Sequence, residues 1–208
     1  MTTNIKQRLL DAGAEALADA LLELARFDAN AEQIVSRLTR TKEEAIAQYK
    51  KNVADLKRQT RTISREESMK FAYRLESILF DLQTIDPEAC LGLTLVASFF
   101  ETDKAIAGKC DGSWDMIREV YRYQASRMFA SYAGHCDDKR QVRKILIKLY
   151  LDDAHSAREM LFSQAPGFLG EKETRNALRE FQEVAQQERD EPRRAKLLRT
   201  IESLAITS

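Results

Sequence analysis

Apolar residues recur along this chain at steps of three and four, with almost no turn residues to interrupt them. Leu10, Ala14, Leu17, Leu21 and Leu24 set the pattern, which puts apolar side chains on one face of a helix. A sheet-rich chain needs many tight turns, and tight turns need glycine, proline or Asn-Gly. Seven glycines and three prolines in 208 residues leave little room for them. The hydrophobic fraction of 44% argues for a packed core, and the charged fraction of 32% for extensive helix surface in water.

The pattern divides into nine or ten helices. The first is expected from about Ile5 to Phe27, with Gly13 as a weak point that could split it. Asn30 is expected to cap a short second helix carrying Ile34, Val35 and Leu38. A third is expected over Thr41 to Thr60, with Ile46, Tyr49, Val53 and Leu56 inward. Ser64 and Glu67 form a capping box at the start of the fourth. Asp86-Pro87 is expected to open the fifth. That helix is apolar nearly all round from Ala89 to Phe100, so it should be central. Ser113 is expected to cap a sixth, lined by Trp114, Ile117, Tyr121, Ala125, Met128 and Tyr132; its aromatic residues are expected mainly in the core. Asp137 or Asp138 starts a seventh and Asp152-Asp153 an eighth, which should run to about Gln164. Pro166-Gly167 is expected to be a loop. Two further helices follow, the last opening at Pro192 and carrying Ala195, Leu198, Ile201 and Leu204.

The expected fold class is therefore all-α. Short connections make neighbouring helices antiparallel. Ten helices exceed one simple bundle, so the favoured architecture is an irregular α-α superhelix, a stack of the HEAT or TPR kind. A closed helical bundle is the alternative, and no clean internal repeat exists to decide between them. Residues 1–208 are read as a single domain, with a subdivision near 62–64 as an option.

Asp86-Pro87-Glu88-Ala89, Phe99-Phe100, Asp103, Asp111-Gly112-Ser113, Leu151-Asp152-Asp153 and Leu169-Gly170-Glu171 together resemble an uncharacterised bacterial all-helical, repeat-like domain family. Some of its members occur beside SWIM-type zinc-finger segments. Leu17 to Ala25 is similar to how such chains begin. The resemblance implies a helical-repeat fold and no established activity. The acidic turn is reduced here to Asp111-Gly-Ser, and no zinc-finger cysteine spacing occurs.

Lysine plus arginine equals aspartate plus glutamate, 33 each, so no global field draws the chain to nucleic acid or anionic lipid. The three cysteines, Cys90, Cys110 and Cys136, are odd in number and widely spaced. They are expected as free thiols, which fits a reducing, cytoplasmic location. No secretory h-region precedes them, and the longest apolar run falls short of a membrane span, so no membrane partner is expected.

Three constellations could carry function. Lys50, Lys57 and Arg61, with Lys51, Arg58 and Arg65 beside them, form a basic face on the expected third helix. It could grip phosphates or simply keep the helix solvated. A second basic set, Lys139, Arg140, Arg143, Lys144 and Lys148, lies on the seventh, and would strengthen the first if both met on one surface. Asp152, His155 and Glu159 share a face of the expected eighth helix and are weak metal candidates. No second Glu-x-x-His motif supports them, so no metal or cofactor is expected. No phosphate-cradling glycine loop, Gly-x-Ser-x-Gly or His-Glu-x-x-His occurs. The leading expectation is a non-catalytic scaffold or protein-interaction module, partnered by another protein or by further copies of itself. The alternatives are nucleic-acid binding through the helix at 41–61 and a metal-dependent enzyme.

Overall fold

A computed structural model describes the backbone of residues 2–206 and the side chains of residues 4–202 except residue 33; Leu204 therefore lies outside the described side chains. The chain is all-α. Among the described residues it forms thirteen α-helices and one π-helical segment, and the one β-type bridge joins Ile63 to Cys110. The count exceeds the expected nine or ten. No described helix is long and apolar enough to cross a membrane. By internal contacts the chain divides into two compact units, Met1–Ala47 and Gln48–Ser208.

The first unit holds α1 (Thr2–Ala12), α2 (Ala14–Ala25), α3 (Ala29–Thr39) and the start of α4 (Lys42–Lys57). Gly13 has φ 87°, a conformation that glycine adopts without penalty, and it splits the expected first helix in two. The apolar stripe expected there is not a core. Leu10 and Leu24 are exposed, Leu17 and Leu21 are half-buried, and α2 buries no residue, because it packs chiefly on α3. Asp28, not Asn30, caps α3: its backbone is extended, and its Oδ1 accepts from the Asn30 N–H at 2.7 Å. Thr41 and Glu44 exchange bonds of 2.9 and 3.2 Å at the start of α4, a capping box.

In the second unit, Tyr49, Val53 and Leu56 of α4 are buried. Ser64 and Glu67 make their reciprocal bonds, at 3.4 and 3.3 Å, but on a turn. The helix α5 (Ser68–Ile85) begins just after it. Asp86 ends α5 in a left-handed conformation, φ 46°, rather than opening the next helix. The following helix, α6 (Ala89–Phe100), buries Gly92, Leu93, Leu95, Val96, Ala97, Phe99 and Phe100, as its all-round apolar surface demands. After the short α7 (Asp103–Ala107) comes a rod made of α8 (Trp114–Glu119), the π segment Val120–Ala125 and α9 (Ser126–His135). Within it Tyr121 and Phe129 are fully buried, Trp114 and Tyr132 half-buried, and Tyr123 exposed.

The helix α10 (Lys139–Leu151) is capped by Asp138, whose Oδ1 accepts from the Gln141 N–H at 2.9 Å. Asp152 is its C-cap, so the expected eighth helix does not start there. Residues 152–158 form a loop instead, because Asp153 Oδ1 accepts from the Ala157 N–H at 3.0 Å and Ser156 is left-handed. Pro166, expected in a loop, lies inside α11 (Glu159–Leu169). The missing proline N–H is offset by burial of Leu161, Phe162, Ala165, Phe168 and Leu169. Two helices, α12 (Glu171–Gln187) and α13 (Glu191–Ile206), complete the unit. The core is built round α6 and α11, both packed on α9 and on α10; α11 also packs on α12 and α13. Edge-to-face rings knit it, with Tyr150 and Phe162 centred 4.3 Å apart and Phe162 and Phe181 5.8 Å apart.

The α6–α9 packing also corrects the thiol expectation. Cys90, in the first turn of α6, and Cys136, the C-cap of α9, lie with Cα atoms 4.9 Å apart and are joined as a disulfide; Cys110 remains free.

Candidate anion-binding cleft

The basic face expected on the third helix does not survive as one track. The helix α4 stops at Lys57, so Arg61 and Arg65 fall on the following loop and leave the helical register. Lys50, Lys51, Lys57, Arg58, Arg61 and Arg65 are all exposed. Arg61 is tied to Glu67. The second basic set is likewise parcelled out. Lys139 Nζ donates to the carbonyls of Ala133 and Gly134 at 2.7 and 2.9 Å, closing the end of α9. Arg143 pairs with Glu173 at 2.8 Å and with Glu180.

One member of each set does meet the other. Lys57, at the end of α4, and Lys148, near the end of α10, both donate to Glu101, one to each carboxylate oxygen. Glu101 is placed for this by the C-terminus of α6, where it is the C-cap. Burial pushes its carboxyl up, but the bonds from Lys148 and Lys57 outweigh that and hold it below its ordinary value of 4.5. The same contact raises Lys148 above 10.5.

This junction is the wall of a cleft of about 930 Å³ that also exposes Lys104, Lys196 and Arg193. Lys104 stands one turn beyond Glu101 and makes no ion pair among those described. Lys196 Nζ bonds Asp153 Oδ2 at 3.1 Å and lies 5.5 Å from the centre of the Tyr150 ring. Arg193 pairs with Glu188 at 3.2 Å and donates to the Leu151 carbonyl at 3.1 Å.

Beneath the cleft is a buried polar joint. Arg158 donates through Nε and Nη2 to both oxygens of Asp103, at 2.8 and 2.7 Å. Its remaining bonds go to the carbonyls of Leu149 and Phe100, at 2.7 and 2.9 Å. Thr102 and Tyr121 share a hydroxyl–hydroxyl bond of 2.6 Å beside it. The π segment turns Tyr121 into this position, and Ser126 Oγ donates to the Tyr121 carbonyl at 3.1 Å. Burial pushes the Tyr121 hydroxyl well above its ordinary range.

The weak metal candidates are dispersed. Asp152 ends α10, His155 is on the loop with its carbonyl facing Trp114 Nε1 at 3.5 Å, and Glu159 is the first residue of α11. Without a helix through 152–159 their shared face is gone. No three His, Cys, Asp or Glu among the described residues are grouped to hold a metal ion. Sequence reasoning missed Glu101, Lys104 and Arg158. The Lys57–Lys148 meeting spans two helices far apart in the chain and leaves no local pattern, and the sequence marks Glu101 only as the charged residue that follows the apolar run Ala89 to Phe100.

The chain matches a family of unknown function, DUF6880, over residues 1–206, and it belongs to that family. No curated protein and no solved structure matches it.

Proposed function

We propose that this member of a family without an assigned role is a non-catalytic helical binding module, which holds its partner by anionic groups at the Lys57–Glu101–Lys148 cleft. The supporting observation is the convergence of Lys57 and Lys148, from separate helices, on one carboxylate that cannot neutralise both. A concave surface rimmed by such cations concentrates field lines and draws anions. The most buried charged pair nearby, Arg158 with Asp103, has its donors committed to the carboxylate and to backbone carbonyls, which suits a structural joint better than a proton-transfer group.

The partner in this reading is a protein offering acidic groups. Nucleic acid is the second reading, favoured by Lys50, Lys51 and Arg58, which are exposed on or next to α4 and carry no ion pair among those described. Capture on the immobilised chain, with and without nuclease and at low and high salt, tests both. A protein retained after nuclease and lost with Lys57→Glu plus Lys148→Glu supports the module. Nucleic acid released at high salt supports the second reading. Equal capture by the native chain and the charge-reversed variant removes the cleft from either.

A further inference from the structure

The cleft holds a surplus of positive charge in one corner. Lys57 and Lys148 share the single carboxylate of Glu101, and Lys104 lines the same cleft without an ion pair among those described. Three ammonium groups line this part of the cleft with Glu101 and Asp152; Asp153, which also lines it, is held by Lys196. Each ammonium is a point charge with three rotatable donors on a flexible stem, able to follow a tetrahedral oxyanion. A phosphate monoester carries about −1.5 to −2 charges at neutral pH and three strong acceptor oxygens. It offers one acceptor oxygen to each of the three lysines, where a carboxylate has two oxygens to offer.

Compactness follows from what surrounds the corner. A polymer's phosphates need a continuous cation track. Here Arg61 is held by Glu67, Arg143 by Glu173 and Glu180, and Lys139 by the carbonyls that end α9. Lys50, Lys51 and Arg58 are exposed on or next to α4 without an ion pair among those described, but Lys57, Lys104 and Lys148 line one cleft. Its volume of about 930 Å³ lies in the range of small-ligand sites. Leu151 and Pro192, which also line it, provide apolar surface for the rest of a small molecule.

We infer that the cleft is a binding site for a small phosphomonoester, whose phosphate displaces the Glu101 carboxylate from Lys57 and Lys148 and also engages Lys104. This rests on the reading of the cleft as a binding site. Glu101 then acts as a resident stand-in that keeps the lysines gathered and must give way to the ligand.

Calorimetric titration of the full chain with glucose 6-phosphate, glucose, a poly-glutamate peptide and a phosphoserine peptide, at fixed ionic strength, tests it. Glucose 6-phosphate is expected to bind saturably and glucose not at all. Lys57→Ala, Lys104→Ala and Lys148→Ala should each weaken binding by roughly fivefold or more, as loss of a charge-assisted bond does. Lys144→Ala, outside the cleft, should leave it unchanged. Glu101→Gln should tighten it several-fold by removing the competitor. All are exposed or half-exposed positions, and circular dichroism will show that each variant is folded. Equal heats for glucose and its phosphate, or indifference to the three lysines, would overturn the proposal. So would Glu101→Gln abolishing binding, or a phosphoserine peptide binding where the sugar phosphate does not. Poly-glutamate bound through the same lysines, without the sugar phosphate, would overturn the phosphate and leave the cleft reading standing. Silence from every anion would end both.

Discussion

Arg158 and Asp103 form a two-point bond in the interior of the second unit, with side chains 2% and 1% exposed. The arginine enters from the loop before α11 and the aspartate opens α7, so this one contact ties the 152–158 loop to the end of α6. A buried ion pair is weak evidence of net stability, since desolvation offsets much of the attraction. Its value here is positional: the guanidinium satisfies the buried backbone carbonyls of Leu149 and Phe100.

Removing one partner should therefore cost far more than removing both. Arg158→Met leaves Asp103 buried and unpaired and strips donors from Leu149 and Phe100, and is expected to lower stability by about 3–5 kcal/mol. The double change Arg158→Met with Asp103→Leu should recover part of that loss. Urea unfolding of the parent and the two variants measures it; Arg158→Met within about 1 kcal/mol of the parent would show the pair to be dispensable.

The Cys90–Cys136 bond closes a loop with a sequence separation of 46. Chain entropy alone assigns such a cross-link about 3–4 kcal/mol. Cys90→Ser with Cys136→Ser, or a reductant, should lower the melting temperature, while Cys110→Ser should not. Mass analysis of unreduced, alkylated protein should find one labelled thiol per chain. Three labelled thiols in protein purified without reductant would show that the bond does not form.

Gly92 faces the ring of Tyr132. An added Cβ would meet Tyr132 ring atoms at 2.5–2.7 Å, inside any normal contact. Gly92→Ala is expected to destabilise by about 1–3 kcal/mol despite the helix propensity of alanine. In a Tyr132→Ala background the clash is gone, and the same change should be neutral or stabilising. Denaturation midpoints across this double-mutant cycle decide it; additive effects would mean that the ring does not set the requirement.

Where a residue's role depends on its neighbours in sequence, it was legible. The all-helical class, the central place of Leu93, Val96 and Phe100, and the reciprocal bonds of Ser64 with Glu67 could all be read from spacing and residue type. Asp86 and Asp152 misled because aspartate serves a helix end as readily as a helix start, and only the backbone torsions distinguish them. Pro166 misled because packing on both sides can hold a helix that propensity would break. The Cys90–Cys136 bond, the Arg158–Asp103 pair and the Lys57–Glu101–Lys148 junction join residues 44 to 55 positions apart. Nothing local marks such pairs, since they exist only once the helices have packed.

The junction carries a pH signature of its own. Glu101 is held below 4.5 in the folded chain by Lys148 and Lys57, against the opposing effect of burial. Its unfolded value is the ordinary one, so the unfolded chain takes up the proton first as pH falls. The stabilisation from Glu101 is then fully present above about pH 4.5 and is lost as pH drops through the lower, folded value. Lys148 gives the mirror case: its share is fully present below about pH 10.5 and is lost as pH rises through the higher, folded value. Both lysines are largely exposed, so solvent screening keeps the effect small and salt-sensitive. Urea midpoints measured from about pH 3 to 6 should fall less steeply for Glu101→Gln than for the parent, and the gap should shrink in high salt. Parallel curves at all pH values would mean that the two lysines do not engage Glu101 in solution.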